Sequence, residues 1–422
     1  MSGGYFTKFA ARSAILWDRH KRPVKRVYQG PAIGAAFVYR RLLTKPIFVG
    51  VTGSLGKTQS KALIAAVLGE RGQVSFDPST DNRTYDVAKT LLRTLPTHSA
   101  CVQEIGMAGP GTMARPVGLF KPSVALITNI RSDHAEGFAT RREHVLEKAS
   151  IIRKLPTSGW AILNADESDL DALRAETEAR VVTYGFSEQA DVRGTHLTYR
   201  PPAPISVEVS HDRATQVVAT QLQGAHSAYG VLAAMAVARV LGVEWPAAAR
   251  AIASVVSTQG RMEYVRHDDG VGFLLDDFKA SEGSLAVVAD YLRAYEHDGG
   301  SRYVVLGSVS YGEGSAVKHY TGFIEAVADY VDEVILAGPT VSALDASVFP
   351  AGIRIFETVK QCAHYLLPRL RPGDLVVLKG RTAFDHLRRI EISRRRTVSC
   401  WQMSCGFKSF CEDCRFLEED LA

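Results

Sequence analysis

The chain has 422 residues, 46% hydrophobic and 23% charged, a length that needs more than one core and a composition that excludes disorder, collagen-like repeats and a coiled coil. No run of about 18 apolar residues occurs, which excludes a membrane-spanning helix and makes the cytoplasm the expected compartment. The net charge of +5 is unevenly placed: residues 1–45 hold ten Lys and Arg against Asp18 alone, leaving 40 bases against 44 acids elsewhere, so the body of the protein offers no basic surface for nucleic acid.

In chain order, residues 1–45 form a basic N-terminal extension. Tyr5, Phe6, Phe9, Ile15, Leu16 and Trp17 recur among its cations at roughly helical spacing, as in a helix lying on an anionic membrane or an acidic partner. A solvated terminal helix against the main domain accounts for the same pattern. From Pro46 short apolar runs alternate with longer amphipathic ones, the pattern of βαβ units around a mostly parallel sheet. Strands are expected over 47–51, 124–128, 161–164, 303–306, 334–337 and 375–378, and Ala-rich helices over 229–243 and 247–255. A glycine and a new strand near 257–261 separate two α/β regions, 46–257 and 258–395, ahead of a tail at 396–422.

The strongest local signal is Val51-Thr52-Gly53-Ser54-Leu55-Gly56-Lys57-Thr58, between the first strand and an apolar helix. Glycines there let the backbone amides of Ser54 and Leu55 approach phosphate oxygens, and the new helix adds its positive end. Lys57 reaches the outer phosphates and Thr58 ligates Mg²⁺. Val51 stands where the outer Gly of a standard phosphate loop belongs, so the loop is a variant; a plain glycine turn is the alternative. Glu104, Asn129 and Asp133-His134 follow at strand ends, where an open α/β sheet lines its ligand crevice. Glu104 suits a hard cation beside a triphosphate.

The order of these motifs resembles the Mur ligase family, ATP-dependent enzymes that join a carboxylate to an amine, from residue 47 to near residue 390. Thr52 to Thr58 is similar to its ATP loop. Glu104-Ile105-Gly106-Met107, Gly109-Pro110-Gly111, Ile127-Thr128-Asn129-Ile130, His134-Ala135-Glu136-Gly137-Phe138 and Leu163-Asn164-Ala165-Asp166 are similar to the MurF branch. Gly224-Ala225-His226, Gly260-Arg261-Met262-Glu263, Gly373-Asp374 and Lys379-Gly380-Arg381 continue the match.

The resemblance implies a P-loop-type central domain followed by a Rossmann-like C-terminal domain. It implies ATP and Mg²⁺ as cofactors, with Lys57 and Thr58 on phosphate and metal, Glu104 on a first metal and His134 on a second. Lys148 falls where the family carries a CO₂-carbamylated lysine, which would also face the second metal; a solvated helix residue is the alternative. Arg261 and Asp277 would contact nucleotide from the C-terminal domain. Asp276-Asp277-Phe278-Lys279 looks more like the MurD version, with Lys279 on phosphate. Ser227 and Arg83 replace Asn residues of the family pattern.

The implied reaction is amide formation through an acyl phosphate, ADP-forming. The 45 residues before the ATP domain are too few for the UDP-sugar-binding domain of the peptidoglycan ligases, so a different carboxylate is expected: a polymer, a lipid-linked intermediate or a natural-product precursor. A regulatory relative that binds ATP and docks a partner is the alternative, and a plain NTPase or kinase is another. In the tail, Cys400, Cys405, Cys411 and Cys414 lie within 15 residues, read as a structural Zn²⁺ knuckle, with an iron–sulfur cluster or unligated thiols as alternatives.

Overall fold

The computed structural model describes residues 28–131, 137–296, 299–310, 316–344, 346–350, 352–403, 405 and 410–419. It contains two compact units, the first ending at Ser257 and the second beginning at Thr258.

In the first unit the strands are β1 (Ile47–Thr52), β2 (Val74–Phe76), β3 (Ala100–Glu104), β4 (Val124–Ile127), β5 (Trp160–Asn164), β6 (Arg180–Gly185), β7 (Val192–Thr198), β8 (Ser206–His211) and β9 (Ala214–Ala219). They form one sheet in the order β2-β3-β1-β4-β5-β6-β7-β8-β9. Pairing is parallel from β2 to β7 and antiparallel from β7 to β9. β1 is buried along almost its whole length, as a central strand covered on both faces must be. Val49 and Val51 face the core shared with helices Lys57–Gly69 and Ser227–Leu241, while Phe48 faces the opposite core with helices Thr84–Arg93 and Arg141–Arg153. Alternation along one strand thus builds two cores and a three-layer sandwich.

The chain leaves β1 toward β2 and β3 on one side and returns to β4 on the other. This reversal makes the carboxyl ends of β1, β3 and β4 the topological switch point, where an open α/β sheet leaves a crevice. The turn after β4 is fixed from behind: the fully buried Tyr184 hydroxyl lies 3.2 Å from both Ile127 O and Thr128 O, and Asn164 Nδ2 donates to Thr128 O at 3.1 Å.

The second unit has β10 (Glu263–Arg266), β11 (Gly272–Asp276), β12 (Arg302–Leu306), β13 (Glu333–Ala337), β14 (Arg354–Phe356) and β15 (Leu375–Lys379). Their order is β10-β11-β15-β12-β13-β14, parallel except for the β10–β11 edge pair. Helices Glu282–Ala294 and Val359–Leu366 cover opposite faces.

Described residues of both expected extensions pack on these bodies. Residues 28–39 are helical and pack Ala36 into a core of the first unit, and Ile392 clusters with Cys411 and Leu417 of the tail in the second. Tyr184→Phe should lower stability by about 1 kcal/mol, the net worth of one buried hydrogen bond, read as an earlier urea midpoint; an unchanged midpoint would show that other donors hold Thr128.

Candidate active site

β1 delivers Thr52 to the crevice, where its hydroxyl donates to Ile105 O at 2.8 Å. The chain then turns at Gly53 with φ of +138°, and a Cβ there would lie 2.0 Å from Thr128 Oγ1 and 3.1 Å from Asn129 N. Only glycine allows the phosphate loop to come this close to the turn after β4. The two segments are then tied by hydrogen bonds. Ser54 N donates to Asn129 O at 2.8 Å, Leu55 N to Asn129 Oδ1 at 2.9 Å, Thr128 Oγ1 to Leu55 O at 2.7 Å and Arg131 N to Ser54 Oγ at 2.9 Å. Asn129, expected on nucleotide, holds the loop that would receive it.

Helix Lys57–Gly69 starts at exposed Gly56, which has no side chain to cap its first amides. Lys57 Nζ donates to Ser54 O at 2.8 Å, folding the ammonium back over the loop. One residue on, Thr58 Oγ1 donates to Glu104 Oε2 at 2.7 Å, and Asn82 Nδ2 donates to Glu104 Oε1 at 2.8 Å. Glu104 ends β3, so two adjacent strands and one helix start bring a hydroxyl and a carboxylate to one point. Both are hard oxygen donors, and their placement fits Mg²⁺ held beside bound phosphates.

Sequence reasoning passed over Lys61 and Asn82. Lys61 is one helical turn after Lys57, 1% exposed, and donates to Ser79 O at 2.5 Å. Burial lowers its pKa although Glu104, Asp77 and Asp81 all act to raise it. It ties the phosphate-loop helix to the 77–82 segment that carries Asn82. The spacing from Lys57 to Lys61 was the available signal; its burial was not visible.

His134 lies outside the described residues. Lys148 is buried on helix Arg141–Arg153. Its neighbour Glu147 accepts from Gly111 N at 3.0 Å and Met113 N at 2.8 Å, fixing the loop after β3. Ser227, at a family Asn position, is buried with its hydroxyl 2.7 Å from Gln223 O and 3.1 Å from Gln59 Oε1.

In the second unit Asp277 is 1% exposed and ion-paired to Arg388, with Nη2 3.2 Å from Oδ1. Burial raises its pKa against the opposing pull of Arg388. Arg388 also binds Glu263 at 2.7 Å and Glu412 at 3.3 Å. The Arg261 guanidinium lies 4.6 Å from the Phe278 ring centre. Lys279 is fixed through its carbonyl, which accepts from the fully buried Lys379 Nζ at 2.8 Å. The tail packs on this strip: Gln259 Nε2 donates to Glu412 Oε2 at 3.1 Å, the Phe410 and Phe278 rings are 5.9 Å apart, and a Cβ on Gly260 would lie 2.8 Å from the Phe410 ring.

Cys400, Cys405, Cys411 and Cys414, expected from spacing as a metal knuckle, all lie in or beside the tail's packing. Among the described residues no three or more His, Cys, Asp and Glu side chains are grouped to hold a metal ion. Arg389 Nη1 donates to Cys400 O at 3.0 Å, and its Nε donates to Cys411 Sγ at 3.3 Å. Cys405 and Cys411 instead flank the His386 ring, at 3.6 Å from Nε2 and 3.3 Å from Nδ1. Burial lowers the His386 pKa to about 4 and raises that of Cys411 to about 11. The tail's contacts to His386, Arg388 and Arg389 were not legible because four cysteines dominated its reading.

Models of the Mur ligase middle domain and of the Mur ligase glutamate ligase domain match residues 51–238 and 260–382. UDP-N-acetylmuramoyl-tripeptide–D-alanyl-D-alanine ligase of Synechocystis sp. is 30% identical over 361 residues, 84% of this chain and 74% of that protein. The ligase with the same description from Escherichia coli is 28% identical over 312 residues, 71% and 66%. The crystal structure of MurF from Acinetobacter baumannii superposes with a TM-score of 0.77 at 20% identity, covering 86% of this chain and 80% of that one, a likeness of fold.

Arg388→Met leaves the Asp277 carboxylate buried without its cation. It should cost about 3–5 kcal/mol, seen as an earlier urea transition by circular dichroism; a wild-type midpoint would show that Asp277 is held by other groups.

Proposed function

The chain belongs to the Mur ligase family of ATP-dependent, ADP-forming acid–amino acid ligases, and on that premise we propose how its own residues run the reaction and on what class of substrate. The observation that carries the reading is the Thr58–Glu104 pair at the foot of the phosphate loop. The loop amides and Lys57 bind and orient the terminal phosphates. Thr58 and Glu104 hold Mg²⁺, which neutralises charge on the phosphate oxygens when bound. His134 and Lys148, the latter as a carbamate because an unmodified ammonium would repel a cation, would hold a second Mg²⁺ when it is bound. The family pattern gives Arg261 and Lys279 nucleotide-contacting roles, while Asp277, buried against Arg388, would act by holding its own strip.

A carboxylate oxygen of the donor attacks the γ-phosphorus as the bond to the ADP oxygen breaks, giving an acyl phosphate. An amine nitrogen then attacks the acyl carbon, phosphate leaves, and the nitrogen loses a proton. The protein forms no covalent bond in this scheme, so its contribution is alignment, charge and exclusion of water.

We read the donor as a carboxylate other than a UDP-N-acetylmuramoyl peptide. Arg83 and Ser227, at positions where the family pattern has Asn, bear on the acceptor amine. The second reading is the substrate pair in the printed names of the curated relatives, UDP-N-acetylmuramoyl-tripeptide with D-alanyl-D-alanine.

The test is ADP release by the full chain with Mg·ATP, a panel of carboxylates including the muramoyl tripeptide, and a panel of amino acids and dipeptides. Release should require carboxylate and amine together, and Lys57→Ala should reduce it at least about 10³-fold. Release with neither substrate, or full activity in Lys57→Ala, would reject the mechanism. Turnover on the muramoyl tripeptide alone would reject the donor assignment and keep the mechanism.

A further inference from the structure

The helix of residues 28–39 has one face fixed to the first unit and one face bare. On the fixed face Ala36 is fully buried and the Tyr39 hydroxyl donates to Thr94 O at 2.9 Å. Just beyond the helix, Arg40 donates to Phe120 O at 2.7 Å and to Lys121 O at 2.9 Å, with its guanidinium 3.4 Å from the Phe48 ring centre. These contacts clamp the helix in place.

The other face carries Tyr28, Pro31, Ala35, Val38 and Leu42, spaced by three and four residues, the repeat that makes a single stripe. The turn continues through Leu42, whose amide donates to Tyr39 O at 2.9 Å. All five are exposed, Tyr28 at 65%, Val38 at 58% and Leu42 at 66%. Phe37 borders the stripe, 42% exposed, with Arg41 4.4 Å and Lys121 5.8 Å from its ring centre. A clamped helix showing a continuous apolar stripe to water marks an interaction surface.

Charge and shape identify the occupant. Residues 28–45 contain Arg40, Arg41 and Lys45 and no acid, and the sequence before residue 28 adds seven Lys and Arg against one Asp. Pro31 and Ala35 leave the middle of the stripe low, without a large knob for a protein pocket. Apolar residues rimmed by cations on a segment without acids match an anionic bilayer, where the stripe enters the boundary between headgroups and acyl chains. We propose that the 28–42 face docks this protein peripherally on anionic membrane, with Tyr28, Val38 and Leu42 inserted and Arg41, Lys45 and Lys121 on lipid phosphates. No helix among the described residues is long and apolar enough to cross a membrane. The docking contact stands independently of the ligase mechanism.

The test is co-sedimentation of the full chain with vesicles of phosphatidylcholine alone or mixed with phosphatidylglycerol. The expected result is binding to the mixed vesicles only, weakened by salt, and at least about tenfold weaker for the double variant Val38→Glu, Leu42→Glu. Circular dichroism should show that this variant stays folded, since both positions are exposed. Equal binding to both vesicle types, or none to either, would overturn the proposal. So would a double variant that binds as well as wild type, because the basic stretch before residue 28 would then act alone. Concentration-dependent self-association abolished by the double variant, without vesicle binding, would assign the face to a second copy of the chain.

Discussion

The first unit depends on one close approach, the phosphate loop lying against the turn after β4 with no side chain at Gly53 to hold them apart. Once the segments touch, Ser54, Leu55, Thr128 and Asn129 exchange backbone and side-chain hydrogen bonds. The loop is thereby fixed before any ligand arrives, so binding need not order it and the entropic cost of association falls. The same rigidity delivers Thr58 to Glu104 at 2.7 Å. Asn82 and Lys61 extend the support one layer outward, the first by bonding Glu104 and the second by pinning the adjacent segment.

In the second unit a different physical problem dominates, the burial of charge. Asp276 with Lys379 and Asp277 with Arg388 are ion pairs taken out of water at the end of β11. Such pairs are weak sources of net stability but costly to break. Arg388 spreads its charge over Asp277, Glu263 and Glu412, and so couples the motif strip to the tail. The tail is therefore held by charge and ring packing around Phe410 and Arg389, with only a small apolar cluster of its own.

The fold was legible where burial on both faces writes continuous β-branched runs: the expected strand at 47–51 occupies Ile47–Thr52, and 375–378 occupies Leu375–Lys379. β7, β8 and β9 were not, because Ser206–His211 and Ala214–Ala219 mix Ser, Thr, His and Gln into half-exposed antiparallel strands with a weak apolar signal. At the candidate site, the neighbourhood of Lys57, Thr58 and Glu104 was legible because loop sequence and strand-end position coincide. The hydrogen bonds by which Asn129 holds the loop were not legible, since a loop-holding amide and a ligand-binding amide look alike in sequence. Cysteine spacing carries no information about His386 and Arg389, which come from another segment and contact Cys405 and Cys411.

The most direct measurement of the central claim is calorimetric titration of ADP, with and without Mg²⁺, into the wild type and Glu104→Gln. If Thr58 and Glu104 hold the metal, Mg²⁺ tightens ADP binding in the wild type, and Glu104→Gln loses that gain while keeping its metal-free affinity. A Glu104→Gln variant with the full Mg²⁺ enhancement would contradict the account and move the cation elsewhere.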